Sequence, residues 1–499
     1  MDPRKGEGNP GFGLRGSLGE CKMNRPTRRT FLKHLAASSI AAPVTISGAK
    51  ASGQVIGAND RIRVAVAGIN GRGQVHMHVF GGMKNVEVAY LVDPDSRLFA
   101  SRSAAVENQT GKKPKCVQDI RRVLEDPTVD AVSIATPNHW HALMTIWACQ
   151  AGKDVYVEKP CSHNIVEGRQ MIEAAERYGR IVQHGTQWRS DPKWQAYTAD
   201  IRNGKYGKLR TAHIQIFRPR TSIGIKQAAP PPPGLDYDLW VGPAPLHPYR
   251  PNLVHYQWHW IWDYGNGEIA NLGSHLFEMA RWAMPEGALP QRVISLGGRF
   301  GYEDQGETPN TQLTVFDFGE TKLICQQRGL YNQNSIRMNI DFHTDQGVIR
   351  DGKFYPHGKR EGEPIPNAPP GGLPENYARE HFQNFIDCVR SRRKENIQGP
   401  LLDGHRTATL AHLGNISYRL GDEVSFQQSP SDLLEEQLAH DAWEGLRRHL
   451  TDEARLNLAN LRYRHGRALR FDATSETFVD APEADELLRR SYREAYALS

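Results

Sequence analysis

The hydrophobic and polar positions change their period along the chain, and the first part predicts strands that alternate with helices. Short runs of small and β-branched residues recur from residue 61 onward, as in buried parallel strands. These runs are Arg61–Ala67, Val86–Val92, Asp130–Thr136, Asp154–Val157 and Ile181–His184, with an apolar-periodic helix at His141–Ala151. We therefore expect an α/β fold that begins with a Rossmann domain, a doubly wound parallel sheet, over residues 60–184.

The second part predicts a C-terminal α+β domain over residues 185–424, with an open, mainly antiparallel sheet. Its strands alternate as half-exposed strands do, and they are Leu209–Ile216, Val293–Leu296, Gln312–Phe316 and Lys322–Cys325. A hairpin at Gly347–His357 and helices at Tyr377–Arg393 and His405–Tyr418 follow. Residues 425–499 are interpreted as a helical extension, with helices at Leu433–Leu450 and Glu483–Ala497.

Composition and charge exclude several classes of protein. The 499 residues include 62 basic and 56 acidic side chains without a long Lys/Arg block, which argues against a nucleic-acid partner. The six cysteines are far apart and form no C-x-x-C pair. We therefore predict no metal site and interpret them as free thiols, with disulfides left open for an oxidising compartment.

The N-terminus, residues 1–51, resembles a twin-arginine export signal. Arg28 and Arg29 precede the apolar run Leu35–Ile46, and Ala49–Ala51 follows as a cleavage candidate. This resemblance implies export by the twin-arginine machinery and a periplasmic or secreted protein. The alternative is a basic amphipathic helix of the folded protein. We expect no membrane span, since no later segment has about 20 consecutive apolar residues.

A glycine-rich loop and an acidic residue indicate a dinucleotide site. The loop follows the first strand and opens a helix, so its backbone N–H groups can approach a pyrophosphate. Asp93 ends the next strand, where it can accept hydrogen bonds from ribose hydroxyls and would repel a 2′-phosphate. The loop departs from G-x-G-x-x-G because Asn70 stands at the second glycine. We predict NAD as cofactor, bound by Gly68, Asn70, Gly71, Arg72, Gly73 and Asp93.

Further motifs in this domain resemble the Gfo/Idh/MocA oxidoreductases. They are Thr136-Pro137-Asn138, His141, and Gly152–Pro160 with its Glu158-Lys159-Pro160 motif. The resemblance implies that Thr136, Pro137, Asn138, His141 and Glu158 contribute to cofactor binding. It also places Lys159 in the active site, where it would position the nicotinamide and a substrate hydroxyl. A metal pair of His139 and His141 is conceivable, but we favour packing and hydrogen bonding at the helix start.

The same resemblance assigns residues of the second domain to the substrate. Gln187 and Arg189 would lie near it, with an ordinary surface turn as the alternative. His275 matches the family's histidine, and Asn271 stands where the family has an acid, so catalysis would rest on Lys159 and His275. The alternative for His275 is a buried structural histidine.

Aromatic side chains occupy every even position from Tyr256 to Tyr264. Their rings can stack on the C–H faces of a sugar, or they form one buried face of a strand.

These features predict an NAD-dependent oxidoreductase that acts on a sugar or polyol. An exported enzyme meets no soluble nicotinamide pool, so NAD would stay tightly bound and be re-oxidised by a second substrate. One alternative is a redox-neutral NAD-dependent glycosidase. Another is a sugar-binding relative without turnover, for which Asn271 is the main argument. We also expect a homo-oligomer.

Overall fold

The computed structural model describes residues 61–330, 337–366, 368–369, 375–430 and 432–497. The predicted export signal at residues 1–51 lies outside the described residues. The described part contains a six-stranded parallel sheet and a 12-stranded, mainly antiparallel sheet, which confirms the predicted fold class.

The first sheet has the strand order β3-β2-β1-β4-β5-β6 of a Rossmann fold. Its strands are β1 (Ile62–Ala67), β2 (Val86–Val92), β3 (Lys115–Val117), β4 (Ala131–Ile134), β5 (Asp154–Glu158) and β6 (Val182–Gly185). Its helices are α1 (Gly73–Gly81), α2 (Phe99–Thr110), α3 (Arg121–Leu124), α4 (Asn138–Gln150) and α5 (Ile165–Arg177). Apolar clusters cover both faces of the sheet, which explains the continuous hydrophobic runs. The order reverses between β1 and β4, so a crevice opens at the carboxyl ends of these strands.

The second sheet has the order β14-β13-β12-β11-β7-β10-β9-β8-β16-β15, with β17 joined to β8 and β18 to β17. Its strands are β7 (Leu209–Phe217), β8 (Arg292–Gly298), β9 (Thr311–Asp317), β10 (Lys322–Arg328), β11 (Arg337–Thr344), β12 (Gly347–Arg350), β13 (Lys353–Pro356), β14 (Glu363–Pro364), β15 (Asp422–Ser425), β16 (Arg462–His465), β17 (Leu469–Asp472) and β18 (Thr477–Val479). Its pairs are antiparallel except for β7 with β10. The helices are α6 (Pro192–Arg202), α7 (Tyr237–Val241), α8 (Gly267–Asn271), α9 (Gly273–Trp282), α10 (Glu375–Ser391), α11 (Leu401–Arg419), α12 (Gln437–Arg448) and α13 (Pro482–Asp485).

The central strands of this sheet are buried on both faces, so the expectation of half-exposed strands is wrong for β9. All seven residues of β9 are buried. One apolar cluster joins one face of the sheet to α9 and α11. A second cluster joins the other face to α12, with Val315 packed in the same cluster as Trp443 and Leu446. The C-terminal extension therefore covers a face that the alternating pattern left for solvent.

The extension is not purely helical as predicted. It contains α12, but β16, β17 and β18 join the large sheet, where β16 and β17 both pair with β8. The helix predicted at Glu483–Ala497 is reduced to α13 and two short turns. The last residues instead contact the Rossmann domain: Arg490 binds the carboxylate of Glu167 at 2.9 Å, and Tyr496 packs on Trp140. These distant partners outweigh the local helical pattern.

Two sequence expectations concern the described residues as a whole. Within them, no helix combines the length and the apolar character needed to cross a membrane. The five described cysteines, Cys116, Cys149, Cys161, Cys325 and Cys388, are free thiols.

Candidate active site

A cavity of 1260 Å³, which we call the central cavity, lies between the carboxyl ends of the Rossmann strands and the second domain. It is lined by the loop before α1, by the ends of β2, β4 and β5, and by α8, α9 and the segment 255–259. Fourteen of the predicted site residues line it: Gly68, Asn70, Gly71, Arg72, Asp93, Thr136, Pro137, Asn138, His141, Glu158, Lys159, Gln187, Asn271 and His275. Gly73 and Arg189 do not appear in its lining.

Two glycines of the loop are required by close backbone contacts. Gly68 has φ +81°, and a Cβ there would lie 2.5 Å from the carbonyl oxygen of Ala135. A Cβ on Gly73 would lie 1.9 Å from the carbonyl oxygen of Gly68. Gly73 therefore permits the tight turn of the loop although it does not line the cavity. The loop is therefore held tightly against the end of β4, with its backbone along the cavity.

Asp93 lies at the end of β2, where its carboxylate is fixed by backbone groups. Its oxygens accept hydrogen bonds from the N–H groups of Ile69 and Asp95, both at 3.0 Å, and only 5% of its surface is exposed. The carboxylate thus joins the glycine loop to the end of the next strand. A cradle with no room for a Cβ and an ordered acid beside it fit the adenosine and pyrophosphate parts of NAD.

Glu158 is the centre of a buried polar network beside this loop. Its Oε1 accepts hydrogen bonds from Nε of Arg72 at 2.9 Å, from Nε2 of His76 at 3.1 Å and from the Gln187 amide at 3.0 Å. Burial opposes its ionisation, but the charge of Arg72 and the His76 hydrogen bond hold the pKa of Glu158 well below its usual range. Gln187 also donates to the Tyr156 hydroxyl at 2.8 Å, so its amide holds Glu158 and Tyr156 in place.

Lys159 crosses from the Rossmann domain to the second domain. Its Nζ donates to the carbonyl oxygen of Asn271 at 2.7 Å and to Oδ1 of Asn271 at 3.1 Å. Burial lowers the pKa of Lys159 to about 8, and the charge of Glu158 opposes this effect. Asn271, the residue at the position of the family's acid, therefore contacts the amine through two neutral oxygens. The amine can lose a proton near neutral pH.

His275 lies near Lys159 on the first turn of α9. Its side chain is buried, its ring centroid is 5.7 Å from that of Trp188, and its Nδ1 has no hydrogen-bond partner among the described residues. Burial, followed by the charge of Lys159, lowers the pKa of His275 to about 3. The imidazole is therefore neutral near pH 7 and can donate or accept a hydrogen bond.

Arg189 does not reach the cavity as the family resemblance implied. Its guanidinium pairs with the buried carboxylate of Glu278 and, at 2.9 Å, with Asp403. These two carboxylates lie on α9 and at the start of α11, far from Arg189 in the sequence. The guanidinium is used to join elements of the second domain.

The histidines at the start of α4 contact backbone carbonyl oxygens and an aromatic ring. Nε2 of His139 lies 3.1 Å from the Trp240 carbonyl oxygen, and its ring packs edge-on against Tyr264. The ring nitrogens of His141 lie 2.6 Å from the carbonyl oxygen of Pro160 and 2.9 Å from that of Thr136. Within the described part of the chain, no group of three or more His, Cys, Asp or Glu side chains could hold a metal ion.

The aromatic segment is a loop with one helical turn at Gln257–Trp260, so the strand interpretation is wrong. Tyr256 and Trp258 line the cavity, whereas Trp260 and Tyr264 are buried and do not line it. His255 and His259, which lie in the same segment, also line the cavity and were not among the predicted site residues. Their odd positions between aromatic rings were the only signal for them in the sequence.

Comparison with known proteins agrees with this arrangement. Residues 62–186 match the Gfo/Idh/MocA family model described as an oxidoreductase family NAD-binding Rossmann fold. Residues 221–293 match the companion model of the C-terminal alpha/beta domain. NAD is thus the cofactor of the matched Rossmann family. These matches support an NAD-binding oxidoreductase of the Gfo/Idh/MocA type, as the sequence motifs predicted.

Several curated relatives carry names of this class. The rhizopine catabolism protein MocA of Rhizobium meliloti is 26% identical over 51% of this chain and 67% of its own length. The scyllo-inositol 2-dehydrogenase (NAD(+)) of Bacillus subtilis is 32% identical over 30% of this chain and 42% of its own length. A glycosyl hydrolase family 109 protein of Shewanella pealeana is 30% identical over 26% of this chain and 30% of its own length. The last two alignments span less than half of each relative.

A solved structure shows the same fold. The WlbA dehydrogenase of Bordetella pertussis, in complex with NADH and UDP-GlcNAcA, superposes with a TM-score of 0.53 at 16% identity. The match covers 72% of this chain and 96% of that one. Both layers of the fold, the Rossmann sheet and the mainly antiparallel sheet, therefore occur together in known dehydrogenases.

Proposed function

We propose that this protein is an NAD-dependent oxidoreductase that oxidises or reduces a carbinol carbon of a sugar or polyol. The observation that carries this proposal is the meeting of Lys159, Asn271 and His275 in one cavity with the glycine loop. NAD, when bound, accepts a hydride from such a carbon or returns it. A polyol dehydrogenase among the curated relatives supports the substrate class.

Lys159 is proposed as the proton-transfer group. A pKa of about 8 leaves a usable neutral fraction of the amine at pH 7, and general bases work best when their pKa is near the working pH. Both oxygens of Asn271 hold the Nζ in place, so the amine is oriented before a substrate hydroxyl arrives.

His275 is proposed as the positioning group. A pKa of about 3 makes its imidazole a weak base, so it holds the substrate hydroxyl by a hydrogen bond instead of removing the proton. This pKa lies far below the ordinary value of an imidazole, which would make the ring a base near pH 7. Burial beside a cationic lysine is the physical reason.

We further propose export by the twin-arginine machinery on the strength of Arg28 and Arg29, a location outside the cytoplasm, and a homo-oligomer. An exported enzyme would have to retain its NAD and restore it with a second substrate in the same cavity. Light scattering on the purified protein measures the oligomeric state, and a mass of one chain contradicts that part.

A redox-neutral glycosidase is the second candidate, because one curated relative is named a family 109 glycosyl hydrolase. Such a reaction needs a group at the leaving oxygen in addition to the proton acceptor at the oxidised carbon. The central cavity contains further imidazoles beyond His275, among them His255 and His259.

One experiment separates these functions. The NAD-loaded protein is incubated with sugars and with their aryl glycosides while the absorbance of bound NADH and the product masses are followed. Persistent reduction of NAD by a free sugar or polyol supports the oxidoreductase. Aglycone release without net reduction supports the glycosidase. A protein that binds sugars and does neither contradicts both and supports a binding protein. A Lys159→Met variant serves as the control for turnover at this site.

A further inference from the structure

Few cationic side chains face the central cavity, and two of the three have partners of their own. Within the described residues, the lining contains Arg72, Lys159 and Arg379 as its only arginines and lysines. Arg72 is paired with Glu158, and Arg379 donates to the carbonyl oxygen of Gly82 at 3.3 Å. Lys159 is therefore the one cation beside Asn271 and His275, and its Nζ contacts neutral oxygens there.

Two arginines lie behind this end of the cavity, and buried carboxylates neutralise both. Arg220 forms a two-pronged pair with Glu268, with N–O distances of 2.9 and 2.7 Å, and Glu268 is 2% exposed. Arg189 is paired with Glu278 and Asp403. Bidentate guanidinium groups are the usual ligands for substrate carboxylates and phosphates, and here they are already occupied.

His259 supplies an uncharged hydrogen-bond acceptor, in contrast to the cationic donors of the arginines. Its ring stacks on Trp258, with centroids 3.7 Å apart and planes 18° from parallel, and it lines the cavity. Its Nδ1 donates to the carbonyl oxygen of Tyr256 at 2.6 Å, which makes Nε2 the acceptor of a neutral ring. Nε2 has no hydrogen-bond partner within the part of the chain that the structure describes. Burial lowers the pKa of His259 to about 3, so the ring is neutral near pH 7.

We propose that the central cavity takes an uncharged polyhydroxylated ring, with Nε2 of His259 accepting a hydrogen bond from one of its hydroxyl groups. The neutral imidazoles of His259 and His275 then receive hydroxyls, and Trp188, Trp258 and Tyr256, which line the cavity, supply apolar contacts to the C–H surface of the ring. Acid sugars, sugar phosphates and nucleotide sugars find no arginine beside Asn271 and His275, where Lys159 is the one cationic side chain of the described lining. This inference rests on the proposed function only for the identity of the cavity as the substrate site.

The test measures binding, so that it does not depend on turnover. Calorimetric titration of the NAD-loaded protein compares matched ligands that differ in charge: glucose, glucuronate and glucose 6-phosphate, the same galactose set, and myo-inositol with its monophosphate. We expect at least one uncharged ligand to bind, and about tenfold or more tightly than its charged counterparts. Equal or tighter binding of the charged members, or no binding of any uncharged member, overturns the inference. Selective binding of neutral rings without turnover keeps the inference and contradicts the proposed oxidoreductase.

Variants of His259 test the hydrogen bond itself. His259→Phe keeps a ring on Trp258 but removes Nε2, and a single neutral hydrogen bond predicts about 3- to 10-fold weaker binding of the best uncharged ligand. His259→Gln retains an acceptor and should recover part of this loss. His247→Phe, which alters an exposed histidine outside the cavity lining, is the matched control.

Deoxy analogues separate direct contact from a structural role. One monodeoxy form of the best ligand should bind the wild type about 3- to 10-fold more weakly but bind His259→Phe as tightly as the parent sugar does. The assignment of His259 is overturned if His259→Phe binds the best uncharged ligand as tightly as the wild type does. It is also overturned if each monodeoxy form weakens binding to His259→Phe by the same factor as to the wild type.

Discussion

Asn271→Asp tests whether Lys159 is the titrating group of the active site. Oδ1 of Asn271 lies 3.1 Å from Nζ of Lys159, so the substitution places a carboxylate against the amine. At an effective dielectric constant of about 20 to 40, opposite unit charges at this distance attract by about 3 to 5 kcal/mol. That energy corresponds to a rise of about 2 to 4 pH units in the pKa of Lys159.

The sign of the effect on rate follows from the role of the amine. The pKa of Lys159 is about 8 in the wild type, so the rate of substrate oxidation should rise with pH and level off above about pH 8. A nearby carboxylate stabilises the protonated amine and reduces its neutral fraction. In Asn271→Asp the rise should therefore move up by about 2 pH units or more. The rate at pH 7 should fall about 100-fold, while the high-pH plateau changes little.

The assay is the initial rate of NADH formation from pH 6 to 10.5 on the confirmed substrate. Asn271→Leu is the matched control, because it removes Oδ1 but keeps the backbone carbonyl that also accepts from Lys159. An inflection that stays near pH 8 in Asn271→Asp shows that another group titrates. An equal shift in Asn271→Leu shows that the lost hydrogen bond, and not the new charge, is responsible.

Three further outcomes are expected. Lys159→Ala and His275→Ala should each lower kcat/KM by about 10²- to 10⁴-fold while NAD stays bound. The loss of kcat/KM in the double variant should be far smaller than the product of the two single losses. Wild-type turnover in His275→Ala shows that this histidine is structural. Gly73→Ala should lose bound NAD, measured by mass spectrometry of heat-released nucleotide, because its Cβ would meet a carbonyl oxygen at 1.9 Å. Full NAD occupancy in that variant contradicts the tight loop. Replacing both Arg28 and Arg29 with lysine should leave the precursor in the cytoplasm, and a normal exported yield in cell fractionation contradicts the signal.

The position of the site residues that lie at the ends of parallel strands could be predicted from the sequence. The glycine loop, Asp93 and the Glu158-Lys159-Pro160 motif follow parallel strands, and the carboxyl ends of such strands meet at one crevice. The place of the glycine loop and Asp93 in the central cavity therefore followed from the strand pattern, and that of Glu158 and Lys159 from the family resemblance. Arg189 shows where this reasoning fails, because nothing near it in sequence reveals Glu278 and Asp403 as its partners.

Burial also changed the pKa values of the site residues in a way that the sequence did not reveal. A histidine near its ordinary pKa is a good base, and the sequence assigned catalysis to Lys159 and His275 together. In the fold, desolvation and the charge of Lys159 lower the pKa of His275, while the pKa of Lys159 itself moves to about 8. The proposed division of roles between the two residues therefore depends on surroundings that a linear motif does not contain.

The sequence by itself determined most strands and helices of the two domains, since the period of apolar residues sets which segments form them, and glycines set the tight loop. It did not determine the strands of the C-terminal extension. Only the tertiary structure decided which faces are covered and which polar groups meet. The pair of Lys159 with Asn271 spans 112 residues, and the extension that covers β9 lies more than 100 residues beyond it. Such contacts form because packing brings distant segments together, and their energies depend on burial that no local pattern specifies.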